Sequence, residues 1–230
     1  RTGAIVMTKV IAFDVNETLL DLSALDRPFE EIFGTAVRRQ QWFAQMLQLS
    51  LVGGVTGDYV DFSTAQQAAL LMLAQQQGWT LSDARAAEFV ARMSSLPPHP
   101  EVAASLRQLA ETPLRMVALT NSLGSVAEAQ LTHAGLREYF DRVISADSVR
   151  RLKPAKEPYL AVAEAYEVDV REVRLVAAHS WDIAGALSAG CRAAFVARPG
   201  MVLSPIGIRP DMIGPDIDSV VTQIIATDAR

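Results

Sequence analysis

The sequence predicts an α/β fold in which a parallel sheet with helices on both faces carries an inserted all-helical segment. A short apolar run over residues 10–13 leads into Asp14, as is typical of a buried strand. A long stretch with helical periodicity follows, and from Glu101 onward predicted strands and helices alternate. Such alternation indicates βαβ units, so the helical stretch is an insertion between the first strand and the rest of the sheet. The expected architecture is therefore a Rossmann-like core with a helical cap domain.

We expect the cap to comprise residues 22–98 and the core to comprise residues 1–21 and 99–230. Within the cap, apolar residues at three- and four-residue spacing predict helices that end near Gly34, Gly53 and Gly78, followed by one at residues 82–95. Residues 96–100 contain three prolines. Because proline disfavours helix at and just before its own position, this segment ends the helical pattern and marks a domain boundary.

The second half of the chain is predicted to supply the remaining strands and the helices that cover them. We expect strands at residues 114–119, 142–145, 173–177 and 193–197. We expect helices at residues 101–110, 125–134, 158–166 and 183–189.

The composition favours a compact protein that acts on a small molecule. Half of the 230 residues are apolar, which suffices for a large core, and the net charge of −5 comes without a basic run. The charge pattern therefore favours neither nucleic acid nor an anionic membrane surface as a partner. Cys191 is the single cysteine, and no apolar stretch approaches the roughly 18 residues that span a bilayer. We expect a cytoplasmic protein, and the apolar cap helices are compatible with a homodimer.

Polar or charged side chains follow the predicted strands, at the edge of a parallel sheet where ligands bind. Taken alone, Asp14 is equally well explained as a turn or helix-capping aspartate just after a strand. Partners beyond the other strands favour an active site instead. These partners are Thr120, Asn121, Lys153, His179 and Asp182.

Four motifs occur in order along the chain and identify a family. They are Phe13-Asp14 with Thr18-Leu19, Thr120-Asn121, Lys153-Pro154 with Tyr159, and Trp181-Asp182 with Gly185-Ala186. This set resembles the haloacid dehalogenase superfamily over essentially the whole chain, and its nearest resemblance is to the type II 2-haloacid dehalogenases. The resemblance implies a hydrolase with an aspartate nucleophile.

By this resemblance, Asp14 is the nucleophile and forms an ester with the substrate. Lys153 would keep Asp14 ionised, because a cation within a few ångströms lowers a carboxylate pKa by roughly 1 to 3 units. Asp182 would anchor Lys153 and the hydrolytic water, and Tyr159 would brace the site.

The resemblance also implies a substrate and halide pocket. An arginine on the second cap helix would face the halide. Arg39 is our choice and Arg38 the alternative, although paired arginines also suit a solvated helix face. Thr18 and Thr120 would hydrogen-bond to the nucleophile or to the substrate carboxylate. The remaining residues expected in the pocket are Asn16, Asn121, Tyr159 and Trp181.

Two positions distinguish this chain from phosphatases of the superfamily. Those enzymes need an acid two residues beyond the nucleophile, where this chain has Asn16, and loss of a general acid costs about 10² to 10⁴ in rate. They usually carry a further acid four residues before the later aspartate, where this chain has Ala178. Only Asp14 and Asp182 remain as expected carboxylate ligands, so we expect neither a metal requirement nor another cofactor.

The chain also departs from the dehalogenase pattern. Glu17 replaces the usual glycine, an exchange that the sequence does not explain, and residues 177–179 read Ala-Ala-His where Ser-Ser-Asn is common. We hypothesise that His179 takes over the water-positioning role, as base or orienter, since imidazole accepts a proton near neutral pH. The alternative is a histidine bonded to local backbone.

The expected activity is metal-independent hydrolysis of short 2-haloalkanoic acids to 2-hydroxy acids through an ester on Asp14. The alternatives are a Mg²⁺-dependent phosphatase of a small metabolite, a hydrolase of a strained C–N bond, and a non-catalytic binding protein on the same fold. The presence of Asp14, Thr18, Lys153 and Asp182 argues against the last of these. The halogen, the chain length and the preferred enantiomer stay open.

Overall fold

A computed structural model describes residues 7–229 and contains a six-stranded parallel sheet with the strand order β3-β2-β1-β4-β5-β6. The predicted α/β class and parallel sheet are confirmed. Residues 1–6 and 230 of the predicted core lie outside the described residues. The strands are β1 (Val10–Phe13), β2 (Arg115–Thr120), β3 (Arg142–Ser145), β4 (Val173–Ala177), β5 (Arg192–Val196) and β6 (Met212–Gly214).

Strand β1 lies in the middle of the sheet because its four residues are all apolar and buried. It pairs in parallel with β2 on one side and with β4 on the other. The chain therefore builds one half of the sheet outward from β1 and the other half outward from β4. Ligands of such sheets bind in the crevice at this switch point, beyond the carboxyl ends of the two strands.

The segment between β1 and the next core helix is entirely helical in its regular structure. It contains α1 (Asp26–Phe33), α2 (Arg38–Thr56), α3 (Phe62–Gln76) and α4 (Asp83–Ala91). Rings of Phe29, Trp42 and Phe89 pack against one another, and the Trp42 indole N–H donates to the Gln66 carbonyl at 2.8 Å. The helical cap thus has its own aromatic core, in which Trp42 is fully buried.

The two chain crossings between core and cap lie side by side. The Asp21 N–H donates to the Pro97 carbonyl at 2.8 Å, and the His99 N–H donates to the Leu19 carbonyl at 2.9 Å. These bonds form an antiparallel bridge between Leu20 and Pro98. The predicted boundaries at 21/22 and 98/99 fall at this bridge, and the division into two domains stays a prediction.

The helices of the core include one that the sequence did not predict. They are α5 (Val102–Ala110), α6 (Gly124–His133), α7 (Lys156–Tyr166), α8 (Ser180–Ala189) and α9 (Ile217–Asp228). Both α9 and the three-residue strand β6 were missed. Arg174, fully buried on β4, ties this last segment to the sheet through Asp228 at 2.6 Å and Asp211 at 2.5 Å. Within residues 7–229, every helix is too short or too polar to cross a bilayer.

Candidate active site

Asp14 lies directly after β1 and is almost completely buried. One carboxylate oxygen, Oδ1, accepts a hydrogen bond from Lys153 Nζ at 2.9 Å. The other, Oδ2, accepts from the Thr18 hydroxyl at 2.6 Å and lies 3.1 Å from His179 Nδ1. The structure therefore brings together four of the predicted catalytic residues.

The environment of Asp14 favours its ionised form. Burial alone would raise the pKa of its carboxyl, but the charge of Lys153 and the contacts with His179 and Thr18 outweigh that effect and hold the pKa well below its usual range. Asp14 is thus a desolvated carboxylate at neutral pH. A carboxylate in this state is able to attack an electrophilic centre.

Lys153 is the cation at the centre of the site. Its buried Nζ also donates to Asp182 Oδ2 at 2.6 Å and to the Leu119 carbonyl at 3.0 Å, so all three ammonium protons are used. Burial would lower the pKa of this ammonium, but the charges of Asp14 and Asp182 raise it above its ordinary value. Asn121 fixes the Lys153 backbone by accepting from its N–H at 2.7 Å and donating to its carbonyl at 3.2 Å.

Asp182, at the start of α8, is fully buried and has both carboxylate oxygens bonded. Lys153 holds Oδ2, and the Tyr159 hydroxyl donates to Oδ1 at 2.5 Å. Gly185 makes room for this arrangement, because a Cβ at that position would lie 2.5 Å from the Tyr159 oxygen. The carboxylates of Asp14 and Asp182 therefore both contact the Lys153 ammonium, which lies between them.

His179 lies between β4 and α8, and both of its ring nitrogens and its ring have contacts. Its Nδ1 faces Asp14, and its Nε2 lies 2.7 Å from Glu17 Oε2. Its ring stacks on those of Phe43 and Trp181, with ring centroids 5.3 and 5.1 Å away. Burial would lower the pKa of this imidazole, but its bonds to Asp14 and Glu17 raise it to about 9. The ring nitrogens of His179 thus contact two carboxylates, which distinguishes it from a histidine that bonds to local backbone.

We expect the protein to lose stability as the pH rises, on account of His179. Folding raises the pKa of this ring from 6.5 to about 9, so the folded protein keeps a proton that the unfolded chain loses between these values. The stabilisation, on the order of 3 kcal/mol, is complete below the unfolded pKa and is lost as the pH rises through the folded pKa. Urea unfolding at a series of pH values should show this fall. His179→Asn should flatten it, and equal slopes in both proteins would contradict the assignment.

Glu17 is the residue of this site whose role the sequence did not explain. Its backbone is left-handed, with φ 62°, and its carboxylate bridges His179 and Arg39, the latter at 3.4 Å. His99 Nε2 lies 3.0 Å from the Glu17 carbonyl, and Arg198 donates to the next carbonyl, that of Thr18, at 2.8 Å. No local pattern indicated these two supports, because both come from distant parts of the chain.

The two candidate arginines have different surroundings. Arg39 reaches Glu17 and also donates to Asp26 at 2.6 Å. Arg38 instead bonds to Gln41 and Gln77 of the cap helices. Arg39 is therefore the one that the structure connects to the residues around Asp14.

Thr120 and Asn16 brace the loops of the site in this structure. The Thr120 hydroxyl accepts from the Ser122 N–H at 3.1 Å, so of the two predicted threonines it is Thr18 that contacts Asp14. Asn16 donates to the Ser122 hydroxyl at 3.2 Å and accepts from Gln130 at 2.9 Å. These contacts give both residues a structural role and do not include Asp14.

Within residues 7–229, there is no group of three or more histidine, cysteine, aspartate or glutamate side chains arranged to hold a metal ion. Cys191 is buried, and burial raises the pKa of its thiol to about 12. The reactive groups of the site are therefore an ionised carboxylate, a buried ammonium and an imidazole in direct contact with that carboxylate. Such a set suits nucleophilic attack by the carboxylate followed by hydrolysis of the resulting ester.

Comparisons of the sequence and the structure with known proteins show that this chain is similar to hydrolases. A family model described as haloacid dehalogenase-like hydrolase matches residues 8–190. The (S)-2-haloacid dehalogenase of Xanthobacter autotrophicus is 31% identical over 195 residues, 84% of this chain and 76% of the relative. That of Pseudomonas sp. strain YL is 29% identical over 205 residues, 88% of each chain. A solved structure of L-2-haloacid dehalogenase from Xanthobacter autotrophicus with chloropropionic acid covalently bound superimposes with a TM-score of 0.89 at 26% identity, covering 96% of this chain and 99% of that chain.

Proposed function

This chain belongs to the haloacid dehalogenase-like hydrolase family, and from that premise we propose that it hydrolyses short 2-haloalkanoic acids to 2-hydroxy acids. The observation that carries the proposal is the buried Asp14–Lys153–Asp182 ion triad, in which the carboxylate of Asp14 is kept ionised. Relatives with similarity over most of the chain are named (S)-2-haloacid dehalogenases. The enzyme is a hydrolase acting on carbon–halide bonds.

In the first half-reaction, an Asp14 oxygen attacks C2 of the substrate and the halide leaves as an anion. Attack from the face opposite the halogen inverts the configuration at C2, so an (S)-2-halo acid gives an (R)-2-hydroxy acid. We propose that Arg39 binds the departing halide. Of the two candidate arginines, it is the one that contacts Glu17 in the active site. The substrate contacts assigned to Thr120, Asn121, Asn16, Tyr159 and Trp181 stay predictions.

In the second half-reaction, water attacks the carbonyl carbon of the Asp14 ester. His179 is the base that we propose for this water, because its Nδ1 lies 3.1 Å from Asp14 Oδ2. Asp182 is less suited to that role, since Lys153 and Tyr159 occupy its two oxygens. The products are the hydroxy acid and the restored carboxylate of Asp14.

Replacing His179 with alanine should separate the two half-reactions. The first needs no base, so one equivalent of halide should still be released rapidly. Hydrolysis of the ester should slow by about 10² or more, because a general base contributes 10² to 10⁴ in rate. Intact-protein mass spectrometry should then detect the ester on Asp14 during turnover. An unchanged steady-state rate would remove His179 from the mechanism.

We further propose that the reaction requires no metal ion. Halide is a stable anion and needs no acid or metal to leave, and the Lys153 ammonium already pairs with both carboxylates of the site. A phosphatase of the same family would need an acid where this chain has Asn16, and that alternative is not favoured. A cytoplasmic location and a homodimer stay predictions from the sequence.

The test of the proposed function is halide release from (S)-2-chloropropionate, bromoacetate and fluoroacetate with and without a chelator. We expect halide and 2-hydroxy acid in equal amounts, (R)-lactate from the chloropropionate, and rates that the chelator leaves unchanged. Loss of turnover in the presence of chelator would contradict metal independence and would leave the dehalogenase assignment standing. Absence of halide from all of these substrates, with Mg²⁺-dependent phosphate release from small phosphate esters, would overturn the dehalogenase assignment.

A further inference from the structure

We propose that Glu17 is a positioning residue for ester hydrolysis. Its carboxylate holds His179 with Nδ1 toward Asp14, and esterification of Asp14 frees that nitrogen to act as the base. The inference rests on the proposed function, because it assigns the second half-reaction of the same site.

The geometry gives each ring nitrogen of His179 a carboxylate of its own. Nε2 lies 2.7 Å from Glu17 Oε2, and Nδ1 lies 3.1 Å from Asp14 Oδ2. The rings of Phe43 and Trp181 both stack on the imidazole, and with both ring nitrogens bonded it has little freedom to rotate. An N–H at Nε2 that donates to Glu17 therefore leaves Nδ1 as the nitrogen that exchanges a proton at the site of reaction.

The backbone of Glu17 supports a role for its side chain. A glutamate with φ 62° is in a region that glycine occupies freely and other residues seldom adopt. The surrounding contacts hold it there, since His99 binds its carbonyl, Arg198 binds the carbonyl of Thr18, and Arg39 lies beside its carboxylate. A conformation of this kind that distant residues maintain is characteristic of functional sites.

The charges around His179 change when Asp14 reacts. In the resting enzyme the ring faces two carboxylates, those of Asp14 and Glu17. Lys153 pairs with the other Asp14 oxygen and Arg39 with the other Glu17 oxygen. The other rings stacked on His179, Phe43 and Trp181, carry no charge. An ester at Asp14 is neutral, so it removes one of the two anions that stabilise the imidazolium while Lys153 stays close by. The resting imidazolium should therefore lose its Nδ1 proton once the ester has formed.

The protons balance over the cycle. In the first half-reaction, the C2–halogen bond breaks as the Asp14 oxygen binds C2. The halide leaves as an anion, and the Nδ1 proton leaves to solvent with it. In the second, His179 Nδ1 takes one proton of the water that adds to the ester carbonyl carbon. The other proton of that water goes to the alkoxide as the ester bond breaks, which restores the Asp14 carboxylate and the imidazolium. One halide and one proton leave per turnover, both before hydrolysis.

The variant that tests the inference is Glu17→Gln, which keeps the shape of the side chain and removes its charge. With (S)-2-chloropropionate, we expect a first-turnover halide burst within about threefold of wild type, together with ester hydrolysis slower by about 10². The midpoint of the acid limb for ester hydrolysis should move to lower pH by about one unit, because the anion that favours the imidazolium is gone. A merely structural role would leave that midpoint in place.

The control is Asp26→Asn, which removes the other carboxylate on Arg39 and does not touch His179. It should keep the wild-type rate of ester hydrolysis. Glu17→Gly supplies a second test in case the glutamine variant folds poorly, because glycine accepts this backbone conformation, and it should also accumulate the ester.

In wild type, a pH indicator in rapid-mixing experiments should show one proton released per active site in the same phase as the halide. Proton release only in the later hydrolysis phase, or a Glu17→Gln enzyme with the wild-type hydrolysis rate and midpoint, would overturn the inference. The proposed function would survive either result, since it fails only if the wild-type enzyme releases no halide.

Discussion

Asp14→Asn should abolish dehalogenation, with halide release at least ~10⁴ below that of the wild-type enzyme. The amide of asparagine has nearly the size of the carboxylate but carries no negative charge, so the attack on C2 has no nucleophile. The loss should appear in kcat, because the reaction cannot start, and no covalent adduct should form. Steady-state halide release and intact-protein mass spectrometry measure both effects.

The interpretation of Asp14→Asn requires that the variant folds. Asparagine can still accept from Lys153 through its amide oxygen, and its amide N–H can donate to the Thr18 hydroxyl, so we expect a cooperative unfolding transition like that of wild type. A folded Asp14→Asn enzyme that retains more than about one per cent of the wild-type rate would show that another group makes the first bond.

Lys153→Met should have the second largest effect, on both stability and activity. Methionine fills much of the same volume but leaves the carboxylates of Asp14 and Asp182 buried together without a cation. Breaking a buried ion pair in this way costs about 3 to 5 kcal/mol of unfolding free energy. The pKa of Asp14 should rise, because Lys153 is the main charge that holds it down. Urea unfolding and halide release at several pH values should show both losses.

A double variant separates the two effects of Lys153. Lys153→Met combined with Asp182→Asn removes one of the stranded carboxylates, so part of the lost stability should return. Activity should not return with it, because Asp14 still lacks its cation. If the single variant Lys153→Met were as stable and as active as wild type, the ion triad would not be what keeps Asp14 ionised.

The convergence of Asp14, Lys153, His179 and Asp182 could be predicted because each follows a strand that the sequence indicates clearly. Apolar runs bounded by polar residues predict β1, β2 and β4, the shorter β3 precedes Lys153, and parallel strands bring their carboxyl ends to one edge of the sheet. In contrast, β6 has only three residues with alternating exposure, and α9 is anchored through the distant Arg174. The local signal of β6 is therefore too weak to compete with a turn. Helix α9 does have a local signal, since Asp216 caps it and Ile217, Val220, Val221 and Ile224 recur at helical spacing, and it could have been predicted.

The contacts within the site depend on orientations that local pattern does not determine. Thr120 follows β2 as expected, yet its hydroxyl turns to the Ser122 N–H. Glu17 was visible as an exchange for glycine, but its left-handed backbone and its contact with His179 depend on His99, Arg198 and Arg39. These residues lie up to 181 positions away in the sequence, from Glu17 to Arg198 (198 − 17). Only the folded chain shows that Glu17, in place of glycine, puts a carboxylate beside His179.

The central claim is that the substrate is covalently attached to Asp14 and that water then attacks the carboxyl carbon. A single turnover in water labelled with heavy oxygen, with enzyme in excess over (S)-2-chloropropionate, tests it most directly. We expect the lactate to contain no label, since its hydroxyl oxygen comes from Asp14, and the peptide that contains Asp14 to gain one labelled oxygen. Label in the lactate hydroxyl after the first turnover, with none in Asp14, would mean that water attacks C2 directly and would contradict the account.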